Sequence, residues 1–280
     1  MRLLVLACSL LAAAPARGPR FAVYGDTRDN DAEHARIVAA VVAAKPDLAL
    51  FTGDAVKDGT SKDEWAHWEA LEKPLRDALK LYPVRGNHDV GKEFAAHFKL
   101  PPEGTKGAGA SEAYAFDALG LHFLGLDTEE PLAAGSAQLE WIAQDLAAHA
   151  NKPTVVFLHK AIYSSGSHGG DAALRALLQP LFEKSHVLAV FQSHDHDYER
   201  SKPINGVTYF VEGGGGAKLR PMVDPAPPWS AFRFDGFGYV LVDVTADALD
   251  VQAFDASGTL LDRSKITLTS ATSPAADAGH

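Results

Sequence analysis

The amino-acid sequence predicts an α/β protein in which two mixed β-sheets pack face to face with helices on both outer sides, a four-layer α/β/β/α sandwich. Three observations predict it. Short apolar runs alternate with amphipathic stretches through residues 21–84. Strand-like runs crowd the C-terminal half. The chain of 280 residues suits one large domain better than two average ones.

Phe21-Ala22-Val23-Tyr24 is an apolar run that stops at Gly25-Asp26, a strand feeding a loop. Residues 31–44 carry Ile37, Val38, Val41 and Val42 at helical spacing, and that helix ends before Pro46. Leu48-Ala49-Leu50-Phe51 is a second strand, again halting at a loop that opens Gly53-Asp54. A helix follows over 64–80 with Trp65, Trp68 and Leu71 on one face. Tyr82-Pro83-Val84 is a third strand running into Gly86-Asn87-His88-Asp89. Residues 113–116 and 121–126 then read as a hairpin of strands, and 136–150 as a helix with Leu139, Ile142 and Leu146 inward. Strands return at 154–158 and 187–191, separated by a helix near 171–182. The runs at 207–211, 238–244, 250–255 and 266–268 complete the β-rich half.

Residues 1–16 combine an early Arg2, an apolar stretch and Ala14-Pro15-Ala16, the pattern of a cleaved leader. The stretch is shorter than the ~20 apolar residues that cross a bilayer. We therefore expect an exported protein, periplasmic or secreted, with a domain over 17–269 and a disordered Ala/Ser/Thr/Pro-rich tail over 270–280. Cleavage after Ala16 removes the only cysteine, Cys8, so chemistry must rest on oxygen and nitrogen groups. The formal net charge is −10 with no run of Lys or Arg, which argues against binding a nucleic-acid duplex. It does not exclude a small phosphorylated substrate, because bound cations can supply the local positive charge. No membrane span is expected once the leader is gone, and nothing in the sequence sets an oligomeric state.

Five stretches carry the chemistry: Gly25-Asp26-Thr27-Arg28, Gly53-Asp54, Gly86-Asn87-His88-Asp89, Leu158-His159-Lys160, and the run from Ser193 to Arg200 with His194 and His196. Singly, each has a bland explanation, since Gly-Asp after a strand is commonly a turn. Jointly they differ. Asp26, Asp54, Asn87, His159, His194 and His196 follow successive strands, at the end where open α/β sheets place their sites. Two carboxylates, one amide and three imidazoles suit Zn, Fe or Mn rather than Ca or Mg.

This ordered set resembles the calcineurin-like metallophosphoesterase superfamily over residues 21–200. His159-Lys160-Ala161-Ile162-Tyr163, the His194–Arg200 block and the later glycines 213–216 are similar to the purple-acid-phosphatase branch, here in the form of an exported bacterial member. The resemblance implies a hydrolase of phosphate mono- or diesters that uses two divalent or mixed-valence transition metal ions (Fe, Zn or Mn). It assigns Asp54 as the bridging ligand, Asp26 and His196 to the first ion, and Asn87, His159 and His194 to the second. His88 would face the substrate as proton donor or electrostatic stabiliser, and a hydroxide activated by the ions would attack phosphorus.

The chain departs from the pattern in places. Arg28 stands where the superfamily has a first-ion His, and Lys57 where the purple branch has a Tyr ligand. Ser193 replaces a Gly before the His pair. Arg28 is therefore a candidate for binding substrate phosphate, or else a surface partner of Asp29 or Asp31. His34 is a candidate replacement ligand, with an exposed helix histidine as the alternative. His168, in the glycine-rich loop after the His159 strand, is a candidate to reach substrate or else a solvated loop histidine, while Tyr163 and Tyr198 would wall the site by packing. The incomplete first shell leaves a second reading, a catalytically weak metal- or ligand-binding protein on the same scaffold.

Overall fold

The structure is a computed structural model, and it describes residues 17–98, 100, 105–107 and 112–268. The leader at 1–16 and the tail at 270–280 lie outside the described residues. In chain order the first elements are β1 (Arg20–Tyr24), α1 (Asp31–Ala44), β2 (Leu48–Phe51), α2 (Lys62–Ala78), β3 (Lys80–Pro83) and α3 (Lys92–His97). Next come β4 (Thr105–Lys106), β5 (Tyr114–Ala118), β6 (Leu121–Gly125), α4 (Ala137–Ala148), β7 (Thr154–Lys160), α5 (Ala172–Lys184) and β8 (Ala189–Ser193). The last are β9 (Tyr198–Ser201), β10 (Thr208–Glu212), β11 (Ser230–Phe234), β12 (Gly238–Val244), β13 (Ala248–Asp255) and β14 (Leu260–Thr267).

They form two mixed sheets, as expected. One runs β14-β13-β12-β1-β2-β3 and the other β11-β9-β10-β8-β7-β6-β5-β4. β1, β2 and β3 are parallel, as are β6, β7, β8 and β10, and the outlying strands pair antiparallel.

Alternation along β1 shows how the layers arise. Phe21 and Val23 enter the core between the sheets, while Ala22 and Tyr24 face the helices outside. In the inner core, Phe21 meets Phe123 and Phe191 edge-on at 5.4 and 6.0 Å. α1 and α2 cover the first sheet through Ile37, Val41, Trp65 and Trp68, and α4 and α5 cover the second through Ile142, Leu146, Leu178 and Phe182. Each fully buried Phe of this kind contributes about 1.5–3 kcal/mol of burial.

The helices begin where side chains can accept orphan N–H groups. Asn30, Ser61 and Ser136 accept from Glu33, Glu64 and Leu139, each at 3.3 Å, and Asp171 accepts from Ala173 and Leu174.

The buried stripe of α2 departs from expectation. It runs Trp65, Trp68, Glu72, Leu75, leaving Leu71 only half-buried. Glu72 is tolerated there because the Tyr24 hydroxyl (2.8 Å) and His34 Nε2 (2.6 Å) bond its carboxylate. α3, β4, β9 and β11 have no counterpart among the expected elements.

Candidate metal centre

The carboxyl ends of β1, β2, β3, β7 and β8 bring the expected polar residues to one edge of the sandwich. Asp26 and Asp54 follow β1 and β2 closely, His194 follows β8 directly, Asn87 lies in the loop after β3, and His159 ends the buried part of β7. Asp26, Asp54 and His194 all adopt left-handed backbone, with φ of 53°, 57° and 74°. That conformation turns the chain sharply as it leaves each strand, so the side chain points back across the edge. Space for the convergence is cut from neighbours that lack side chains. A Cβ on Gly213 would lie 2.7 Å from Asp26 Oδ2.

A buried carboxylate locks two of these loops together. Asp89 accepts from the backbone N–H groups of Asp54 (2.7 Å), Ala55 (2.8 Å) and Gly86 (2.9 Å). Sequence reasoning quoted Asp89 within its motif and gave it no role. Burial and then Asp54 push the Asp89 pKa up to about 7, so the bonds are charge-assisted above that pH, where such bonds are worth about 1.5–3 kcal/mol each.

At the second-ion position, His159 Nε2 lies 3.1 Å from Asn87 Oδ1, 3.4 Å from Asp54 Oδ1 and 3.2 Å from His194 Nδ1. Its other nitrogen, Nδ1, sits 2.9 Å from the Thr52 carbonyl, which can only accept, so Nδ1 carries the hydrogen. In the neutral ring Nε2 then keeps its lone pair toward a carboxylate and an amide oxygen. Burial, then His159 and His168, push the His194 pKa down to about 3, so that ring is neutral. With its proton on Nε2, His194 Nδ1 adds a lone pair to the carboxylate and amide oxygens that face His159 Nε2. Such a cluster calls for positive charge. Burial lowers the His159 pKa but Asp54 and Asp26 outweigh that and raise it, so the cluster draws a proton to Nε2 where no cation is held. The donor set fits a borderline transition ion, with the Thr52 carbonyl orienting the imidazole from behind.

The first-ion position differs. Asp26 Oδ1 is buried without a hydrogen-bond partner and lies 3.5 Å from His196 Nε2. His196 Nδ1 donates to the Lys218 carbonyl at 2.6 Å, which leaves the lone pair of the neutral ring on Nε2. Arg28 enters this space. Its Nε donates to Asp54 Oδ2 at 3.2 Å, and its terminal nitrogens reach His196 Nε2 at 3.3 Å and Asp29 Oδ2 at 3.0 Å. The Arg28 side chain is only 9% exposed, so it is not a surface residue. Lys57, in the expected Tyr position, turns outward to pair with Asp29 at 2.9 Å.

The remaining expected residues are placed as follows. His88 Nδ1 donates to the Lys57 carbonyl at 2.8 Å, and its Nε2 faces Asp54 Oδ2 at 4.0 Å. The His168 ring lies tilted against His194 at 4.2 Å and edge-on to His196 at 6.4 Å, with its outer nitrogen on Arg220. It thus reaches the rim of the centre, together with an arginine that sequence reasoning did not single out. His34 is neither exposed nor free to serve through Nε2, which is spent on Glu72. Tyr163 and Tyr198 are buried, with their hydroxyls on Gln179 and Asp262. Beside Arg28, a cleft of about 350 Å³ opens between α1 and α2, lined by Thr27, Lys57, His67, Trp68 and Leu71 among others.

Comparison with known proteins agrees with this geometry. Residues 19–198 match the calcineurin-like phosphoesterase family, and residues 206–263 match the iron/zinc purple acid phosphatase-like protein C family. Purple acid phosphatase 18 of Arabidopsis thaliana is 29% identical over 215 residues, which is 68% of this chain and 49% of that protein. The chain spans about half the length of the curated relatives it matches. Among solved structures, purple acid phosphatase PPD1 from yellow lupin (Lupinus luteus) seeds aligns with a TM-score of 0.79 at 21% identity, covering 89% of this chain and 53% of that one. GAP50, the anchor in the inner membrane complex of Plasmodium, aligns with a TM-score of 0.74 at 17% identity, over 90% of this chain and 89% of its own. Those two likenesses speak to the fold, whereas the family match over 19–198 spans every expected ligand position. The chain belongs to the calcineurin-like phosphoesterases.

Proposed function

We propose that this chain is a metal-dependent phosphoric ester hydrolase acting on small phosphate mono- or diesters. The observation that carries the reading is the convergence of Asn87 Oδ1, His194 Nδ1 and Asp54 Oδ1 on His159 Nε2, at 3.1, 3.2 and 3.4 Å. Asp54, Asn87, His159 and His194 would hold the cation. When bound, it supplies Lewis-acid polarisation of a phosphoryl oxygen and lowers the pKa of a water ligand. The resemblance implies two ions; the donor set is complete at the second position, and the proposal rests on that one.

The protein's own groups supply the rest. Arg28 retains N–H groups beyond those bonded to Asp54, Asp29 and His196, and a planar guanidinium matches phosphate geometry. His88 is held at Nδ1 by the Lys57 carbonyl, so Nε2 is the atom that faces the centre and would pass a proton to the leaving oxygen. His168 and Arg220 lie at the rim beside His194, where a second positive group would steer an anionic substrate. The cleft beside Arg28 has room for the leaving group.

A second reading, a metal- or ligand-binding protein with weak catalysis, is favoured by one observation: Arg28 stands where a first-ion ligand is expected. One experiment separates the two. The purified chain is analysed for metals and then assayed on nucleotides, sugar phosphates and a bis-aryl phosphate. Turnover that chelation abolishes and metal restores supports the hydrolase. A stably bound metal with no turnover across the panel supports the binder.

A further inference from the structure

We propose that the guanidinium of Arg28 takes the place of the first ion, so that the centre holds one metal ion per chain with a permanent organic cation beside it. The inference rests on the proposed metal site at Asp54, Asn87, His159 and His194.

The geometry of three groups leads there. An imidazole nitrogen has a single lone pair, and that of His196 Nε2 lies 3.3 Å from an Arg28 N–H group that can only donate. A metal ion cannot share it. Asp54 is divided in the same sense: Oδ1 faces His159 and the second-ion donors, and Oδ2 accepts from Arg28 Nε at 3.2 Å. With an ion held at the second position, the carboxylate would still lie between two positive groups, one of them a guanidinium. The third group, Asp29, holds Arg28 from behind at 3.0 Å and is itself tied to Lys57 at 2.9 Å, which keeps the side chain in place. At the first position this leaves Asp26 Oδ1 as the atom without a partner, and one oxygen is far short of the four or more donors a transition ion takes.

The arrangement has a chemical consequence. A guanidinium stays charged at any working pH and does not exchange with the medium. It can balance Asp26 and Asp54 and draw a phosphate group in, but it cannot activate water. Nucleophile activation would then fall wholly to the second-ion site.

Counting ions tests this without reference to turnover. Metal-free protein is titrated with Mn²⁺, and bound ions are counted by native mass spectrometry and elemental analysis. Wild type should saturate at one ion per chain and give the six-line paramagnetic spectrum of an isolated Mn²⁺. Arg28→His and Arg28→Gly, which vacate the space, should take up a second ion, with the spectrum of a coupled pair. Two ions in wild type, or a coupled-pair spectrum, overturns the inference whatever the variants do. Folded variants that stay at one ion overturn it as well. No bound ion in wild type would sink both this inference and the hydrolase proposal, whereas one ion with no hydrolysis would sink only the latter.

Discussion

Gly86→Ala adds one methyl group at the point where two ligand loops cross, and its effect can be worked out in advance. A Cβ at residue 86 would lie 2.2 Å from Asp54 Oδ1 and 2.5 Å from the Asp54 backbone nitrogen. Neither backbone can give way easily, because Asp89 Oδ2 holds the N–H groups of both Asp54 and Gly86 at 2.7 and 2.9 Å. The Asp54 carboxylate must therefore retreat by roughly 1 Å to reach an ordinary contact. It would leave the His88 N–H, now 2.9 Å away, and spoil its approach to His159 Nε2. Overpacking of this kind costs about 1–3 kcal/mol, or roughly 2–12 °C of Tm in a domain of this size. A displacement of ~1 Å at the chemical centre costs on the order of 100-fold in rate. The assay is kcat/KM on an aryl phosphate at matched metal occupancy, with calorimetry alongside. Gly18→Ala serves as control, since its Cβ would meet only the Val244 carbonyl at 3.4 Å. A Gly86→Ala protein within twofold of wild type and fully metallated would refute the idea that this glycine sets the Asp54 position.

Other consequences are simpler to state. Asp54→Asn or Asn87→Ala should drop hydrolysis below about a tenth of wild type while the circular dichroism stays native, because each removes a proposed ligand. Metal-loaded protein should show no tyrosinate charge-transfer band in visible absorption, since Lys57 replaces the Tyr ligand and the hydroxyls of Tyr163 and Tyr198 are bonded elsewhere; a purple colour that bleaches on reduction would contradict this. His122, far from the centre, bonds Asp117 at 2.8 Å and Asp145 at 2.7 Å. Burial lowers its pKa, and the two carboxylates outweigh this and raise it. A folded-state pKa above the unfolded one stabilises fully below the unfolded value, about 6.5, and fades as pH rises through the folded value. His122→Gln should thus cost more in urea unfolding at pH 5.5 than at pH 9, and equal costs would dismiss the charge-based account.

The proposed ligand positions were legible because each follows from short-range grammar: an apolar strand, a turn residue, a donor. Asp26, Asp54, Asn87, His159, His194 and His196 stood out by that and by the rule that sites lie beyond parallel strand ends, while their assignment to ions came from the family resemblance. What Arg28 does was not legible, because its partners Asp54 and His196 lie 26 and 168 residues away in sequence. The role of Asp89 was hidden for the same reason, since a clamp on two loops exists only once both are folded. His34 was misjudged because the stripe of α2 drifts, bringing Glu72 rather than Leu71 inward to meet it. β11 left a usable signal, the alternation Phe232-Arg233-Phe234, masked by the prolines just before it. α3 left almost none, being six residues long with no side-chain cap.

The left-handed turns at Asp26, Asp54 and His194 bear on how transferable such a centre is. For residues other than glycine each turn carries a penalty of about 1 kcal/mol or more, so an unconstrained loop of the same sequence would relax out of it. The surrounding sandwich, with its aromatic interior and the clasp at Asp89, holds three adverse conformations that no single loop would keep. Copying the ligating side chains onto a different sheet would then reproduce the inventory but not the aim of each residue. A transplanted centre would need the backbone shape at these three positions specified before its side chains are chosen.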